Sequence, residues 1–185
     1  MKAYLDNNVV SAIARDDNEL ESDAISRLLE AREDRKVLLV TSRLTLDEIK
    51  KVPPKYLRPL ERIFRILEKI PLADWDELNL ITQSSSGNAS VHPPAMSSIT
   101  SASGGDFSMN IPVIENNPLY DQLLALGLEV IDAQHLFVAA NRGCDVFLTC
   151  DNSRRTGIIR RAVEIQELLK FAVQRPSEFL ATQGW

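Results

Sequence analysis

Four acidic side chains from distant parts of the sequence are candidates for chemistry: Asp6, Glu48, Asp132 and Asp151. Asp6 and Asp151 each come just past an apolar run of strand length. Glu48 lies about one helical turn beyond another such run, and Asp132 opens a helical segment. Because functional groups in open parallel sheets gather at the carboxyl ends of the strands, we expect all four acids at one edge of a sheet.

Acids placed in this way indicate a metal site. Carboxylates that share a small volume repel one another strongly, and a divalent cation relieves that repulsion. Ligation by oxygen alone favours Mg²⁺ or Mn²⁺. Such an ion activates water and stabilises the charge that develops on a phosphodiester during in-line attack. The pattern therefore predicts a metal-dependent nuclease or phosphatase.

The elements that must position these acids alternate between strands and helices. The predicted strands are Lys2–Leu5, Lys36–Thr41, Asp145–Thr149 and Leu169–Val173. The predicted helices are Leu20–Arg32, Leu119–Leu126, Ile131–Asn141 and Ile158–Glu167. Gly127 and Gly143 stand where the second and third of these helices should stop. Strands separated by helices imply βαβ units and a mostly parallel sheet, so the expected fold class is α/β.

The composition fits one globular domain over residues 1–185. Residues 84–118 are rich in Ser and Gly and poor in charge, which predicts an uncharged insertion or loop. The net charge is −5, which argues against a coat-like cationic binder of nucleic acid. No apolar run approaches the roughly 20 residues that span a bilayer, so we expect no membrane partner. Asp6 stands where a signal peptide would need its apolar stretch, and only two cysteines occur, so we expect a cytoplasmic location.

Five segments resemble PIN-domain nucleases, and within that family the VapC-type toxins. They are Tyr4–Asn8, Thr41–Ile49, Asp132–Leu136, Phe147–Asp151 and Arg175–Leu180, in that order along the chain. The resemblance covers nearly all of the sequence except the predicted insertion.

The resemblance implies a three-layer α/β/α fold and a metal-dependent endoribonuclease, the toxin of a type II toxin–antitoxin pair. Its partners would be an RNA substrate, a cognate antitoxin protein and a second copy in a homodimer. It also implies that the four acids both bind Mg²⁺ or Mn²⁺ and carry catalysis. Thr149 would orient a metal-bound water or a carboxylate, and Asn8 would support the site.

Several of these acids have a second interpretation. Asp6 could cap the helix that follows it, since Asp is a favoured N-cap residue. Glu48 could complete a capping box with Thr45, and Asp47 is its rival as the second acid. Asp132 could be a helix charge that the macrodipole favours. Asp145 begins its strand, so we expect it at the opposite end of the sheet.

Other polar residues near these segments have weaker signals. Arg154 and Arg155 follow Asp151 closely enough to contact a phosphate backbone, although basic clusters are usually solvated or ion-paired. His135 is predicted to be packed or hydrogen-bonded rather than a metal ligand. The two cysteines, Cys144 and Cys150, are predicted to be small core residues rather than nucleophiles.

Two other functions remain open at this point. A HAD-like phosphatase would start with a strand followed by Asp-x-Asp, but Asn8 stands where the second acid is needed. A non-catalytic PIN-like module could bind RNA or protein without cleavage.

Overall fold

A parallel β-sheet forms the centre of the computed structural model, which describes residues 1–12, 19–42, 44–45, 70, 72–73, 114, 116–151 and 157–185. Its strands are β1 (Lys2–Leu5), β2 (Leu38–Ser42), β3 (Leu72–Ala73), β4 (Val146–Leu148) and β5 (Ala172–Gln174). They lie in the order β3-β2-β1-β4-β5, and each neighbouring pair is parallel. The prediction of an α/β fold with a mostly parallel sheet is confirmed.

Helices connect these strands or follow them, and each of the four segments predicted to be helical is helical, whereas the last helix was not predicted. They are α1 (Asn7–Ala12), α2 (Glu19–Glu33), α3 (Pro118–Ala125), α4 (Val130–Asn141), a 3₁₀ helix (Ile158–Arg161), α5 (Ala162–Leu169) and α6 (Pro176–Gln183). Gly127 and Gly143 follow α3 and α4 with φ of 78° and 59°, a conformation that glycine adopts without steric cost.

The predicted start of the last strand was wrong. The sequence predicts a strand that begins at Leu169, but Leu169 is the last residue of α5. Lys170 then adopts a left-handed conformation with φ of 62° and ends that helix. The strand begins only at Ala172, after this reversal of the backbone.

Alternate residues of β1, β2, β4 and β5 pack into two separate cores, one on each face of the sheet. Ala3 and Leu5 pack with side chains of α1, α2 and α6. Tyr4 points to the other face and packs with side chains of α3, α4 and α5. The protein therefore has three layers, α/β/α, and β1 is buried on both sides.

The segment that the sequence predicted as an insertion, residues 84–118, lies almost entirely outside the described residues. Its last residues are described: the side chain of Asn117 accepts the N–H groups of Leu119 and Tyr120 and so caps α3. Among the described helices, none is long and apolar enough to cross a membrane.

Candidate active site at the carboxyl edge of the sheet

The strand order places a crevice beside the end of β1. From β1 the chain continues to β2 and β3 on one side, and later returns to β4 and β5 on the other side. Loops after β1 and β4 therefore lead away in opposite directions. In parallel sheets, ligands bind in the crevice at the carboxyl ends of the strands where the order reverses in this way. Asp6 and Thr149 are the first residues beyond these two strands.

Asp6 is held in one orientation at this crevice. Its side chain is 2 % exposed, and its backbone N–H donates to the carbonyl of Leu148 at 3.0 Å. Its carboxylate oxygen Oδ2 accepts the hydroxyl of Thr149 at 2.7 Å and the amide of Asn8 at 3.3 Å. Two neighbouring donors thus fix one carboxylate oxygen. The backbone carbonyl of Asp6 also begins α1, because it accepts the N–H groups of Val9 and Val10.

Asp151 is joined to Asp6 through Thr149. The N–H of Asp151 donates to Thr149 Oγ1 at 3.0 Å, while the same hydroxyl donates to Asp6. The carboxylate of Asp151 accepts the N–H of Ile158 at 3.1 Å, where the 3₁₀ helix begins. Thr149 is fully buried, so this small hydrogen-bonded chain is shielded from competing water.

Asp132 is a third acid, and the charges of Asp6 and Asp151 influence its pKa. It lies in the first turn of α4. Partial burial raises the pKa of Asp132 to about 7, and the negative charges of Asp6 and Asp151 add to that rise. His135 acts in the opposite direction and lowers it. The three acids therefore come from three different segments, and the charges of Asp6 and Asp151 act on Asp132 in the folded protein.

The segment that would supply the fourth acid starts at the same edge. The hydroxyl of Thr41 donates to the carbonyl of Leu5 at 2.8 Å and lies 2.9 Å from the hydroxyl of Thr45. Thr45 is helical, as is Leu44 before it, so the alternative in which Thr45 caps this helix does not hold. Glu48 and its rival Asp47 lie outside the described residues, as do Arg154 and Arg155.

The donor chemistry of this edge fits a hard divalent cation. Asp6, Asp132 and Asp151 offer carboxylate oxygens, which Mg²⁺ and Mn²⁺ prefer. Within the described part of the chain, no group of three His, Cys, Asp or Glu side chains is close enough to hold a metal ion by itself. Mg²⁺ commonly uses one or two carboxylates and completes its octahedron with water, so a closed protein cage is not required.

Sequence reasoning missed Glu21, a buried acid close to the site. Glu21 belongs to α2 and is 2 % exposed. Its carboxylate accepts the hydroxyl of Ser177 at 2.6 Å and the N–H of Ser177 at 3.2 Å, at the start of α6. The negative charges of Glu21 and Asp6 both add to the raised pKa of the Cys150 thiol. Its position in an acid-rich helical stretch gave no signal that it would be buried.

The structure agrees with the predicted positions of Asp145, His135 and the two cysteines. Asp145 accepts the backbone N–H of Lys2 at 2.6 Å, so it lies at the opposite end of the sheet. His135 is buried and hydrogen-bonded. Desolvation raises the pKa of the thiols of Cys144 and Cys150 to about 11 and about 12, which keeps them protonated and poorly nucleophilic.

The chain has little similarity to known proteins of assigned family. No protein-family model and no curated protein matches the chain. Among solved structures, the chain is similar to the crystal structure of PAE2754 from Pyrobaculum aerophilum, with a TM-score of 0.45 and 14 % sequence identity over 100 % of both chains.

Proposed function

We propose that this protein is a metal-dependent endoribonuclease of the PIN type, and that Asp6, Glu48, Asp132 and Asp151 form its acidic centre. One observation carries the proposal: the buried hydroxyl of Thr149 donates to Asp6 at 2.7 Å and accepts the N–H of Asp151 at 3.0 Å, which joins two of these acids at the ends of β1 and β4. The pKa of Asp132, raised to about 7 by burial and then by the charges of Asp6 and Asp151, supports a third acid beside them. A carboxyl group with a raised pKa beside other acids is a feature of sites that bind cations or perform acid–base chemistry. Their place at the switch point of the sheet supports the same function.

A bound Mg²⁺ or Mn²⁺ would activate water and stabilise negative charge on a phosphodiester. The residues of this chain would hold and orient that centre. Thr149 would hold Asp6 in place, because its hydroxyl donates to one carboxylate oxygen of Asp6 at 2.7 Å. Asn8 assists on the same oxygen. Asp132 must lose its proton to serve as a ligand, so binding of the cation and release of that proton are coupled.

The RNA contacts and the protein partners of this centre are predicted from the sequence alone. Arg154 and Arg155, close behind Asp151, would contact the RNA backbone. The resemblance to VapC-type toxins leads us to propose an antitoxin partner, a homodimer and a cytoplasmic location. An arginine of the antitoxin that paired with these carboxylates would block the site.

Cleavage of RNA by the purified protein tests the proposal. We expect cleavage of a structured RNA in Mg²⁺ or Mn²⁺, its loss in EDTA, and its loss in Asp6→Asn, which keeps the size of the side chain. Asp145→Asn, at the other end of the sheet, is the matched control and should cleave normally. Binding of RNA by the parent protein without cleavage would instead support the non-catalytic module.

A further inference from the structure

A buried imidazole joins α4 to two neighbouring strands of the sheet. His135 belongs to α4 and is 1 % exposed. Its Nδ1 atom is 2.6 Å from the hydroxyl of Tyr4 in β1 and 3.4 Å from the hydroxyl of Ser42 in β2. One ring nitrogen therefore joins two neighbouring strands and the helix that packs on them.

Each of these three elements leads to one of the proposed acids. Tyr4 precedes Asp6 by two residues, and Ser42 precedes Glu48 by six. His135 follows Asp132 by three residues, which is about one turn of the same helix. Any change in how α4 sits on β1 and β2 would thus move Asp132 relative to Asp6.

The surrounding rings restrict such a change. The ring of Tyr4 stacks on Phe147 at 5.1 Å, with 11° between the planes. The same ring meets His135 edge-on at 5.8 Å. Because the alternative to these contacts is an unsatisfied polar group in a dry core, a buried network of this kind favours a single arrangement.

We propose that His135 is a positioning residue of the acidic centre, whose hydrogen bonds to Tyr4 and Ser42 set the separation of Asp6 and Asp132 for binding one divalent cation. The inference rests on the proposed function, because it needs a cation site. It adds a residue that would touch neither the cation nor the RNA. Groups that orient metal ligands from outside the coordination sphere commonly change metal affinity by about 10- to 100-fold when they are replaced.

Mn²⁺ affinity, measured by electron paramagnetic resonance at pH 8, tests the proposal in the purified protein. Tyr4→Phe keeps the stacked ring and removes only the hydroxyl, and we expect about tenfold weaker Mn²⁺ binding. His135→Leu should weaken binding at least as much. His135→Asn places an amide where Nδ1 lies, so it should restore the contact with Tyr4 and bind Mn²⁺ within about threefold of the parent.

A control variant separates positioning from loss of stability. Ile25→Val shortens a buried side chain of α2 in the opposite core layer and should lower the melting temperature without a change in Mn²⁺ affinity. Equal affinity in the parent and in Tyr4→Phe would overturn the positioning role while it left the proposed function intact. Equal weakening by Ile25→Val would overturn it as well, since affinity would then follow stability alone. A parent protein that binds no Mn²⁺ would overturn both proposals.

Discussion

The hydroxyl of Thr149 donates to the carboxylate of Asp6 at 2.7 Å, across 143 residues of sequence. This bond links the ends of β1 and β4 at the point where the strand order reverses. It is buried, and the same hydroxyl accepts the N–H of Asp151. The contact therefore ties two proposed metal ligands to one side chain that is not itself charged.

Replacement of Thr149 by Val should show how much this hydrogen bond contributes to the stability of the fold. The variant keeps the branched shape but leaves the buried carboxylate of Asp6 without its hydroxyl donor. We expect a loss of about 1–3 kcal/mol in the free energy of unfolding, measured by urea denaturation at pH 8. Thr149→Ser retains a hydroxyl and is the control, with a smaller loss. Equal stability of Thr149→Val and the parent would show that the bond contributes nothing.

The raised pKa of Asp132 makes stability depend on pH. The folded protein holds a proton on Asp132 up to about pH 7, whereas the unfolded chain releases it near the ordinary value of 3.8. Between these values the folded state binds more protons, so this residue makes stability fall as the pH rises and then become constant above about pH 7. Asp132→Asn removes that effect. We expect it to increase the free energy of unfolding by about 1–2 kcal/mol at pH 8, after discounting for solvent screening, and to change it little at pH 4.

Thermal or urea unfolding at the two pH values checks this prediction, and Asp145→Asn serves as a carboxylate control from the other end of the sheet. A cation should reverse the trend, because it stabilises the charged form of Asp132. Mn²⁺ added at pH 8 should stabilise the parent more than Asp132→Asn. Stabilisation of Asp132→Asn at pH 4 as large as at pH 8 would contradict the proposed origin of the effect.

Substitutions of Asp151 should separate its charge from its structural bond. Its carboxylate accepts the N–H of Ile158, and the amide oxygen of Asn can replace that acceptor. Asp151→Asn should therefore unfold within about 0.5 kcal/mol of the parent yet lose at least tenfold in Mn²⁺ affinity, as isothermal calorimetry would show. Asp151→Ala should lose both stability and affinity. Unchanged affinity in both variants would remove Asp151 from the metal site.

Glu21 should contribute mainly to stability. Its carboxylate holds the start of α6 through both the N–H and the hydroxyl of Ser177. We expect Glu21→Ala to cost about 2–3 kcal/mol in urea denaturation and Ser177→Ala about 1 kcal/mol, because the alanine at 177 retains the backbone donor. Similar losses in the two variants would mean that the backbone bond to Glu21 adds little.

Local patterns in the sequence predicted most of the helices and strands, but they did not predict which strands lie next to each other in the sheet. The end of β1 at Asp6 and the stop of α4 at Gly143 follow from residue types within a few positions. The strand order does not, because hydrophobic runs do not specify which strands pair. The end of α5 at Lys170 was also not predicted, because a lysine gives no signal for the left-handed conformation that it adopts there.

The contacts that define the candidate site are also long-range. Asp6 and Asp151 were placed at one edge by the general rule for parallel sheets, and the link through Thr149 agrees with that placement. The contact of His135 with Tyr4 spans 131 residues, and that of Glu21 with Ser177 spans 156. No spacing in the sequence encodes such pairs, so only the folded structure could reveal them.

The most direct test of the central claim is a crystal structure of the protein soaked in Mn²⁺, with anomalous scattering used to locate the ion. We predict one Mn²⁺ at the carboxyl ends of β1 and β4, about 2.0–2.3 Å from carboxylate oxygens of Asp6 and of at least one of Asp132 and Asp151. An ion elsewhere, or no anomalous peak at this edge in crystals whose acidic residues are ordered, would contradict the claim that these carboxylates form a metal centre.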